Sequence, residues 1–323
     1  MVTAAPPCVG VDLQEDCPSF WEIAFDRIVL QDSVGQGVTA HVYQAILDGQ
    51  YQVAVKQIND MDKSSSEKDL RAFEREVAVL MRTDHENLVR FLGISSVQRP
   101  FRIITEYCAG GCVFSLLHNQ EMLLSWPQKL RICVDVAKAM QYLHEFNPQV
   151  IHRDLKSLNL LLVNPVTTSS DIPFTKVSDF GLARIKWQAP DSSWGQMTRA
   201  AGTCHWMAPE VFVSDSYDEK VDLYSYAMIL FEVICQEIPF EDQNPADIGH
   251  LAVKGCRPDL ASVPEECPDI LVKLMQTCWA GTPAKRPPFS EILPMLEQVS
   301  NALVFPFFSV LSCLFLFETA WFR

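Results

Sequence analysis

Side chains that could take part in catalysis are concentrated in two short runs of this sequence. The first run, 152–159, reads HRDLKSLN and brings the carboxylate of Asp154, the ammonium group of Lys156 and the amide of Asn159 close together. Twenty residues after Asn159 comes Asp179, followed by Phe and a glycine that permits a sharp turn. A carboxylate that orients a hydroxyl and oxygen ligands for a divalent cation are groups that phosphoryl transfer requires. The two runs therefore favour this chemistry.

Two features upstream would supply the remaining groups for such a reaction. Gly35 and Gly37 lie between two predicted strands, where they would let the backbone approach a triphosphate closely, although a glycine pair alone is often only a hairpin turn. Lys56 ends the strand-like run VAVK, where an ammonium group among apolar neighbours needs a charged partner. Glu76 on the next predicted helix is the candidate partner. The alternative for Lys56 is a surface lysine whose stem lies along apolar side chains.

The hydrophobic pattern predicts the elements that must position these residues. Short β-branched stretches between residues 28 and 58 predict antiparallel strands, and apolar residues at intervals of three and four predict a helix over 62–82. Two further strands are expected over 88–95 and 101–107. Helices are expected over 130–146, 217–237, 269–280 and 289–299. The polar stretch 164–173 separates two strand-like runs, 160–163 and 175–178, and predicts an exposed hairpin insertion.

In combination these motifs resemble a complete eukaryotic protein kinase domain over residues 28–299. The resemblance implies an α+β, bilobal fold with an ATP site in the cleft between a small β-rich N-lobe, 28–107, and a larger mainly α C-lobe, 108–299. The small lobe would contain one key helix. Residues 1–27 would form an N-terminal extension, and 300–323 an apolar tail. Lys156 resembles the residue of serine/threonine kinases, since tyrosine kinases usually place alanine and arginine in this part of the loop.

The resemblance also implies a role for each site residue. Asp154 would accept or orient the substrate hydroxyl, Lys156 would reach the γ-phosphate, and Asn159 and Asp179 would hold Mg²⁺. Glu76 would hold Lys56 on the α- and β-phosphates. The other residues of the ATP site would be Gly35, Gly37, Val42, Ala54, Thr105, Glu106, Cys108 and Leu161. Among these, Thr105 matches the gatekeeper, Glu106 and Cys108 would offer backbone groups, and Val42, Ala54 and Leu161 would enclose the adenine.

Scaffold and regulatory residues follow from the same resemblance. Glu210 would pair with Arg286, and Asp222 would brace the catalytic loop. Thr203 matches a threonine that contacts the catalytic aspartate and lysine. Thr198 is the predicted activating phosphosite, and Arg153 the residue that would bind its phosphate, with an unmodified polar loop as the alternative. An upstream kinase, or a second copy of the chain acting in trans, would be the activator.

Within the family, the segments 21–23, 152–159 and 202–210 look most like the tyrosine-kinase-like group, which includes the Raf and mixed-lineage kinases. The function expected is ATP-dependent phosphorylation of protein serine and threonine, with ATP and Mg²⁺ as cofactors. The alternative is a pseudokinase-type scaffold that binds nucleotide and partners without turnover. The joint presence of Lys56, Asp154, Asn159 and Asp179 favours the enzyme.

Charge and cysteine content limit the partners and the compartment. The formal net charge of −14 opposes binding to phosphate backbones, so nucleic acid is not an expected partner. The 11 cysteines are irregularly spaced without a C-x-x-C pair, which favours a reducing cytoplasm. Cys256, Cys267 and Cys278 recur at equal intervals, and buried thiols are expected there in preference to a metal site or a disulfide.

The end of the sequence has a different character from the rest. No charged residue occurs from Gln298 to Phe317. The length is borderline for a membrane span, which needs about 20 apolar residues. A membrane anchor, a segment packed on the C-lobe or on a partner, and a non-native end are three open alternatives, and membrane contact is expected only through 302–317.

Overall fold

The computed structural model describes residues 20–37, 40–58, 66–119, 122–185, 204–214 and 217–304. The chain folds as two compact units. The first comprises the described residues up to Val77 together with Arg90–Tyr107, and the second comprises Ala78–Val89 together with the described residues from Cys108 onward.

One segment differs from the lobe boundary drawn from the sequence. Residues 28–107 were expected to form a single lobe, but Ala78–Val89 belongs to the second unit. The backbone explains this, because Val89 donates its N–H to the carbonyl of Val177 at 3.0 Å and the N–H of Val177 donates to Asn87 at 2.8 Å. The segment is therefore held along a strand of the second unit by main-chain hydrogen bonds.

The first unit is built on one antiparallel sheet in the order β1-β2-β3-β5-β4. Its strands are β1 (Ile28–Gln36), β2 (Ala40–Leu47), β3 (Tyr51–Ile58), β4 (Phe91–Ser95) and β5 (Arg102–Glu106). The predicted strands are present, although β4 begins three residues after the start predicted at residue 88. The first two are longer than the β-branched stretches indicated. They run up to the glycine-containing turn between them because the β1–β2 pairing continues to Gln36 and His41.

The two faces of this sheet have different surroundings. Side chains alternate between faces along a strand, and Val53 and Val55 of β3 point to the face that carries the core. That core also contains Ile23, Ile28, Ala45 and Ile104. Ala54 and Lys56 point to the opposite face. The hydrophobic core of the first unit therefore fixes the face on which Lys56 lies.

One helix belongs to this part of the chain, as predicted. Helix α1 runs over Ser66–Leu80, within the predicted range 62–82, and residues 59–65 lie outside the described part. Phe73 and Val77 are buried, and the ring centroid of Phe73 lies 5.6 Å from that of Phe101. These apolar contacts set the rotation of α1 and so the direction of Glu76, which lies between them in sequence.

The second unit is mainly helical, as the sequence predicted. Its helices are α2 (Val113–Leu117), α3 (Trp126–Glu145), α4 (Glu210–Val213), α5 (Lys220–Cys235), α6 (Pro245–Val253), α7 (Asp269–Cys278) and α8 (Phe289–Val304). Helix α5 is buried all round from Val221 to Ile234, as expected for the central helix of a large helical core. Helix α3 begins four residues before its predicted start, because Gln128 Oε1 accepts the Ser125 N–H at 3.0 Å and so caps the first turn.

Short strands complete the second unit. They are β6 (Val150–Ile151), β7 (Leu160–Leu162), β8 (Thr175–Val177) and β9 (Arg184–Ile185), paired β6 with β9 and β7 with β8. The hairpin insertion between β7 and β8 is confirmed and is mostly exposed. Gln128 Nε2 donates to the carbonyls of Thr168 and Asp171 at 2.8 and 2.9 Å, so the same glutamine anchors the insertion to α3.

The structure also bears on the cysteines and the tail. The eight described cysteines are all free thiols, so no disulfide joins them. Cys267 and Cys278 are buried as predicted, but Cys256 is exposed, because it follows Gly255 in the turn after α6. Across the described ranges no helix is long and apolar enough to cross a membrane. Residues 305–323, which include most of the apolar tail, lie outside them.

Candidate active site

The ion pair expected in the first unit is present. Lys56 Nζ lies 2.9 and 2.7 Å from the two carboxylate oxygens of Glu76. The Lys56 side chain is 25% exposed and that of Glu76 is 8% exposed. The pair therefore joins β3 to α1 while the ammonium group stays within reach of solvent.

The sheet register places the other residues predicted for nucleotide binding beside this lysine. Val42 is the cross-strand neighbour of both Gly35 and Lys56, and Ala54 is the neighbour of Thr105. Directly opposed side chains in an antiparallel sheet share a face. Val42, Ala54, Lys56 and Thr105 are therefore brought together on the face opposite the core.

The backbone near these residues is held by the sheet. The Gly37 N–H donates to the carbonyl of Ala40 at 2.8 Å, which closes the turn between β1 and β2, and Val38 and Thr39 lie outside the described residues. Glu106 donates its N–H to the carbonyl of Arg90 at 3.0 Å, and its side chain accepts the Arg90 N–H. The amide of Glu106 is thus used inside the first unit.

In the second unit, the segment that begins at Cys108 runs beside β7, which carries Leu161. The Gly110 N–H donates to the carbonyl of Leu162 at 2.9 Å, and Cys112 forms a bridge with Leu161. A Cβ atom at Gly110 would lie 2.3 Å from the carbonyl oxygen of Asn164, so this close approach requires glycine. The structure thus brings Cys108 and Leu161 into one neighbourhood.

The catalytic loop forms a compact network around Asp154. Lys156 Nζ donates to Asp154 Oδ2 at 2.7 Å, and Asn159 Nδ2 donates to the carbonyl and Oδ2 of Asp154 at 2.8 and 3.1 Å. Asp154 Oδ1 is buried and accepts no hydrogen bond from the residues that the structure describes. Burial raises the pKa of Asp154, although the neighbouring Lys156 opposes this. The loop therefore contains a carboxylate with one oxygen that accepts no hydrogen bond from the described residues.

A second aspartate, Asp222 on α5, accepts hydrogen bonds from the backbone at the start of this loop. Asp222 Oδ2 accepts hydrogen bonds from His144 Nε2 and the His152 N–H, both at 2.9 Å, and Oδ1 accepts the Arg153 N–H at 2.8 Å. Burial acts to raise the pKa of Asp222, but the hydrogen bond from His144 and the nearby histidine charges outweigh it and lower the pKa. Arg153 adopts a left-handed backbone conformation, φ 69°, at the point where this brace is applied.

The two residues predicted to bind metal are linked through Ser178. Its N–H and its hydroxyl both donate to the carbonyl of Asn159 at 2.9 Å, which brings Asn159 next to Asp179. Asp179 has φ 64°, and its Oδ1 accepts the Gly181 N–H at 3.3 Å. Because the Asn159 nitrogen donates to Asp154, its amide oxygen is the atom suited to a cation.

This donor set fits magnesium. Mg²⁺ is usually held by one or two protein oxygens together with substrate phosphates and water, not by a complete protein cage. In the described part of the chain, no group of three or more histidine, cysteine or acidic side chains could hold a metal ion. Asp179 and Asn159 supply hard oxygen ligands of the required kind.

Comparison with known proteins assigns the family. The family described as protein tyrosine and serine/threonine kinase matches residues 28–296. This chain belongs to that family. The family prediction made from the sequence is thereby confirmed, together with the α+β fold expected for it. Kinases of this family use ATP and a divalent metal ion to phosphorylate proteins.

Related kinases match over most of the chain. The serine/threonine-protein kinase STY17 of Arabidopsis thaliana is 34% identical over 296 residues, which are 91% of this chain and 48% of that protein. The serine/threonine-protein kinase STY46 of the same plant is 33% identical, covering 90% and 47%. The RGS domain-containing serine/threonine-protein kinase A of Dictyostelium discoideum is 34% identical, covering 87% and 24%. The chain thus spans about half or less of the length of these relatives.

The kinase scaffold pair predicted from the sequence is formed. Arg286 Nη1 and Nη2 donate to the carboxylate oxygens of Glu210 at 2.6 and 2.9 Å. Arg286 is 1% exposed, and it also donates to the carbonyls of Ala280 and Lys220. All the acceptors of this guanidinium are protein groups, as expected for a residue that stabilises the fold.

The regulatory residues are placed only in part. Thr198 and Thr203 lie outside the described residues. Arg153, the predicted phosphate-binding residue, donates from Nε to the hydroxyl of Tyr217 at 3.0 Å and donates to the same hydroxyl from Nη2. Its guanidinium carbon lies 5.2 Å from the Tyr217 ring centroid. Sequence reasoning missed Tyr217, since nothing in the local pattern pairs residues 64 positions apart.

Sequence reasoning also missed Glu232, and here a signal was present. Glu232 is the one acidic residue in the run 223–235, which is otherwise mostly apolar. A charged side chain within a helix that is hydrophobic all round needs buried partners. That rule could have singled out Glu232, although not the residues that it contacts.

Proposed function

We propose that this protein is an ATP-dependent protein kinase that transfers the γ-phosphoryl group to serine and threonine hydroxyls of protein substrates. The observation that carries the proposal is the hydrogen bonding of the Asp154 carboxylate. Its Oδ1 is buried without a hydrogen bond from the described residues, beside Lys156 and Asn159. A carboxylate oxygen that the described residues leave without a hydrogen bond, next to a cation, suits a hydroxyl that must be oriented for attack on a phosphoryl group.

In the proposed mechanism each side chain has one task. Asp154 accepts a hydrogen bond from the substrate hydroxyl and takes its proton as the oxygen attacks. Lys156 stabilises the charge on the transferred group, and Lys56, held by Glu76, stabilises the charge on the α- and β-phosphates. Asn159 and Asp179 would hold Mg²⁺, which when bound neutralises charge on the phosphate oxygens.

The remaining residues of the first unit and of β7 would bind the nucleotide. Gly35 and Gly37 leave room for the phosphates, and Thr105 would act as gatekeeper. Val42, Ala54 and Leu161 would contact the adenine ring through apolar surface, and Glu106 and Cys108 through backbone groups. The lobes proposed from the sequence are 28–107 and 108–299, with Ala78–Val89 lying in the second compact unit.

Preference for serine and threonine is supported by Lys156 and by the relatives, which are named serine/threonine-protein kinases. Thr198 is the proposed activating phosphosite, modified by an upstream kinase or by a second copy of the chain in trans. The acidic net charge of −14 disfavours nucleic acid as a partner.

The location of the kinase is part of the proposal. The free thiols of the eight described cysteines fit a reducing compartment, so a cytoplasmic location is favoured. Membrane association through 302–317 is the alternative. Fractionation of the full chain and of a chain ending at residue 301 distinguishes the two, since only an anchored chain changes fraction on truncation.

The proposal is tested by a magnesium-ATP assay on serine, threonine and tyrosine peptides. Wild type should phosphorylate serine or threonine, and Asp179→Asn should lose the activity. Asp48→Asn is the matched control, because Asp48 pairs with Arg27 on an exposed part of the first unit. Equal inertness of wild type and Asp179→Asn, with nucleotide still bound, would replace the enzyme by a nucleotide-binding scaffold.

A further inference from the structure

Glu232 is a buried carboxylate that receives hydrogen bonds from three different elements. It lies on α5 and is 0% exposed. The hydroxyl of Ser157 donates to Oε1 at 2.6 Å, His118 Nε2 lies 3.0 Å from Oε1, and Trp206 Nε1 donates to Oε2 at 2.8 Å. Among the described residues, these groups satisfy both oxygens of the carboxylate.

Burial of this carboxylate has a cost that packing alone does not explain. A carboxylate in an apolar helix loses its hydration, and an apolar side chain of similar size would avoid that loss. Two of its partners, a hydroxyl and an indole, are neutral. His118 is the third partner, with a side chain 19% exposed. Such a group is best explained by the geometry that it imposes on its donors.

The first donor belongs to the catalytic loop. Ser157 follows Lys156, lies two residues before Asn159, and is fully buried. Its hydroxyl bond to Glu232 therefore fixes the loop at a point between the lysine that would reach the γ-phosphate and the asparagine that would hold the metal.

The second donor belongs to a segment that lies 49 residues further along the chain. Trp206 is 2% exposed. It lies just before 208–210, which close the activation segment, the stretch of a protein kinase that here follows Gly181. Ser225, also on α5, donates its hydroxyl to the carbonyl of Trp206 at 2.8 Å. Helix α5 thus holds both the indole and the backbone of Trp206.

We propose that Glu232 is a positioning residue that ties the catalytic loop to the end of the activation segment through Ser157 and Trp206. Because both donors share one carboxylate, a displacement of either donor shifts the acceptor of the other. His118 restrains the same carboxylate from the end of α2. The kinetic consequence rests on the proposed kinase function, whereas the mechanical coupling does not.

The test compares Glu232→Gln, Ser157→Ala, Trp206→Phe and the double variant Ser157→Ala/Trp206→Phe. An amide has only one acceptor oxygen, so in Glu232→Gln the hydrogen bonds from Ser157 and Trp206 cannot both be accepted as the carboxylate accepts them, while the volume is kept. Tyr226→Phe is the matched control, because Tyr226 is buried on the same helix and donates to the carbonyl of Cys133 at 2.9 Å, away from the loop. Thermal melting of each variant checks that it is folded.

Two readouts are expected to change. Glu232→Gln should lower kcat by about 10- to 100-fold, as a misplaced catalytic group does, with the KM for ATP within about twofold of wild type. Hydrogen exchange should become faster in both 155–160 and 204–210. Ser157→Ala should also speed exchange in 204–210, although it removes no atom from that segment. The effects of Ser157→Ala and Trp206→Phe on kcat should be less than additive.

Each contrary result has a definite meaning. Unchanged exchange in 204–210 in Ser157→Ala, or strictly additive effects on kcat, would overturn the coupling. If Tyr226→Phe changed hydrogen exchange in 155–160 and 204–210 as much as Glu232→Gln does, the coupling would also be overturned, because the changes would then reflect general destabilisation. If wild type transfers no phosphate while the exchange pattern appears as expected, the proposed function fails and the coupling stands.

Discussion

Two buried aspartates in the second unit use their oxygens in different ways. Asp222 accepts hydrogen bonds on both oxygens, from His144, His152 and Arg153. Asp154 accepts on Oδ2 from Lys156 and Asn159, whereas its buried Oδ1 accepts none from the described residues. The pKa of Asp222 is lowered, and burial raises that of Asp154.

Under the proposed function, this difference separates a carboxylate that braces the catalytic loop from one that takes part in the reaction. Buried polar atoms are nearly always hydrogen-bonded, so an open buried oxygen calls for an explanation. For Asp154 the proposed explanation is a substrate hydroxyl, and groups with perturbed pKa values cluster at reaction centres. Both oxygens of Asp222 accept hydrogen bonds, from the His144 side chain and from the backbone N–H groups of His152 and Arg153 at the start of the catalytic loop.

The largest effect should come from Asp154→Asn. Phosphoryl transfer should fall about 1,000-fold, because a positioned acid–base group contributes on this scale. The free energy of unfolding should not decrease, since the variant removes a buried charge that burial disfavours. Rates with MgATP and a serine peptide, together with urea unfolding, check both halves. If Asp154→Asn kept activity within tenfold of wild type, Asp154 would not be the reacting carboxylate.

Asp222→Asn should have the opposite profile, with a large effect on stability. An amide can accept only part of the three hydrogen bonds, so the free energy of unfolding should fall by about 2–4 kcal/mol. Urea unfolding of this variant beside Asp154→Asn measures the difference directly. A loss no greater than that in Asp154→Asn would show that the brace is not what stabilises the loop.

His144→Phe should have a smaller effect that isolates one bond of the brace. The ring centroid of His144 lies 5.2 Å from that of Phe289, and phenylalanine keeps this packing while it removes the Nε2 donor to Asp222. The expected loss of unfolding free energy is about 1–2 kcal/mol. His144→Phe in the Asp222→Asn background should cost clearly less, and equal costs in the two backgrounds would contradict the assigned contact.

The smallest expected effect is the pH dependence of stability, which compares Asp222 and Asp154 directly. The lowered pKa of Asp222 contributes stability that is present above its unfolded value, about 3.9, and lost as pH falls through the folded pKa. The raised pKa of Asp154 contributes stability that is present below about 3.9 and lost as pH rises through its folded pKa.

Substitution by asparagine removes each contribution, so the two variants should differ in sign. Relative to wild type, Asp222→Asn should gain relative stability on acidification, and Asp154→Asn should gain it as pH rises. Urea unfolding over about pH 3 to 6 checks this, a range that spans the ordinary carboxyl pKa. Parallel curves for the two variants would show that the aspartates are not electrostatically distinct.

Much of the fold and site followed from local patterns. The β-branched run that ends at Lys56 predicted β3, and the spacing of apolar residues around Glu76 predicted α1. The catalytic loop was readable because Asp154, Lys156 and Asn159 are near neighbours in sequence. Residues 78–89 were assigned to the first lobe, since a sequence pattern does not show that Val89 bonds to Val177.

The sequence by itself therefore determined the elements, the family and the residues of the catalytic motifs, because periodicity and short spacing act over one turn or one strand. Only the tertiary structure decided which distant groups complete them: Tyr217 for Arg153, and Glu232 for Ser157 and Trp206. Those pairings are 64, 75 and 26 residues apart and depend on how the helices pack around α5. Hydrogen bonds across such separations carry no periodic signal, so they appear only when the core that places them has formed.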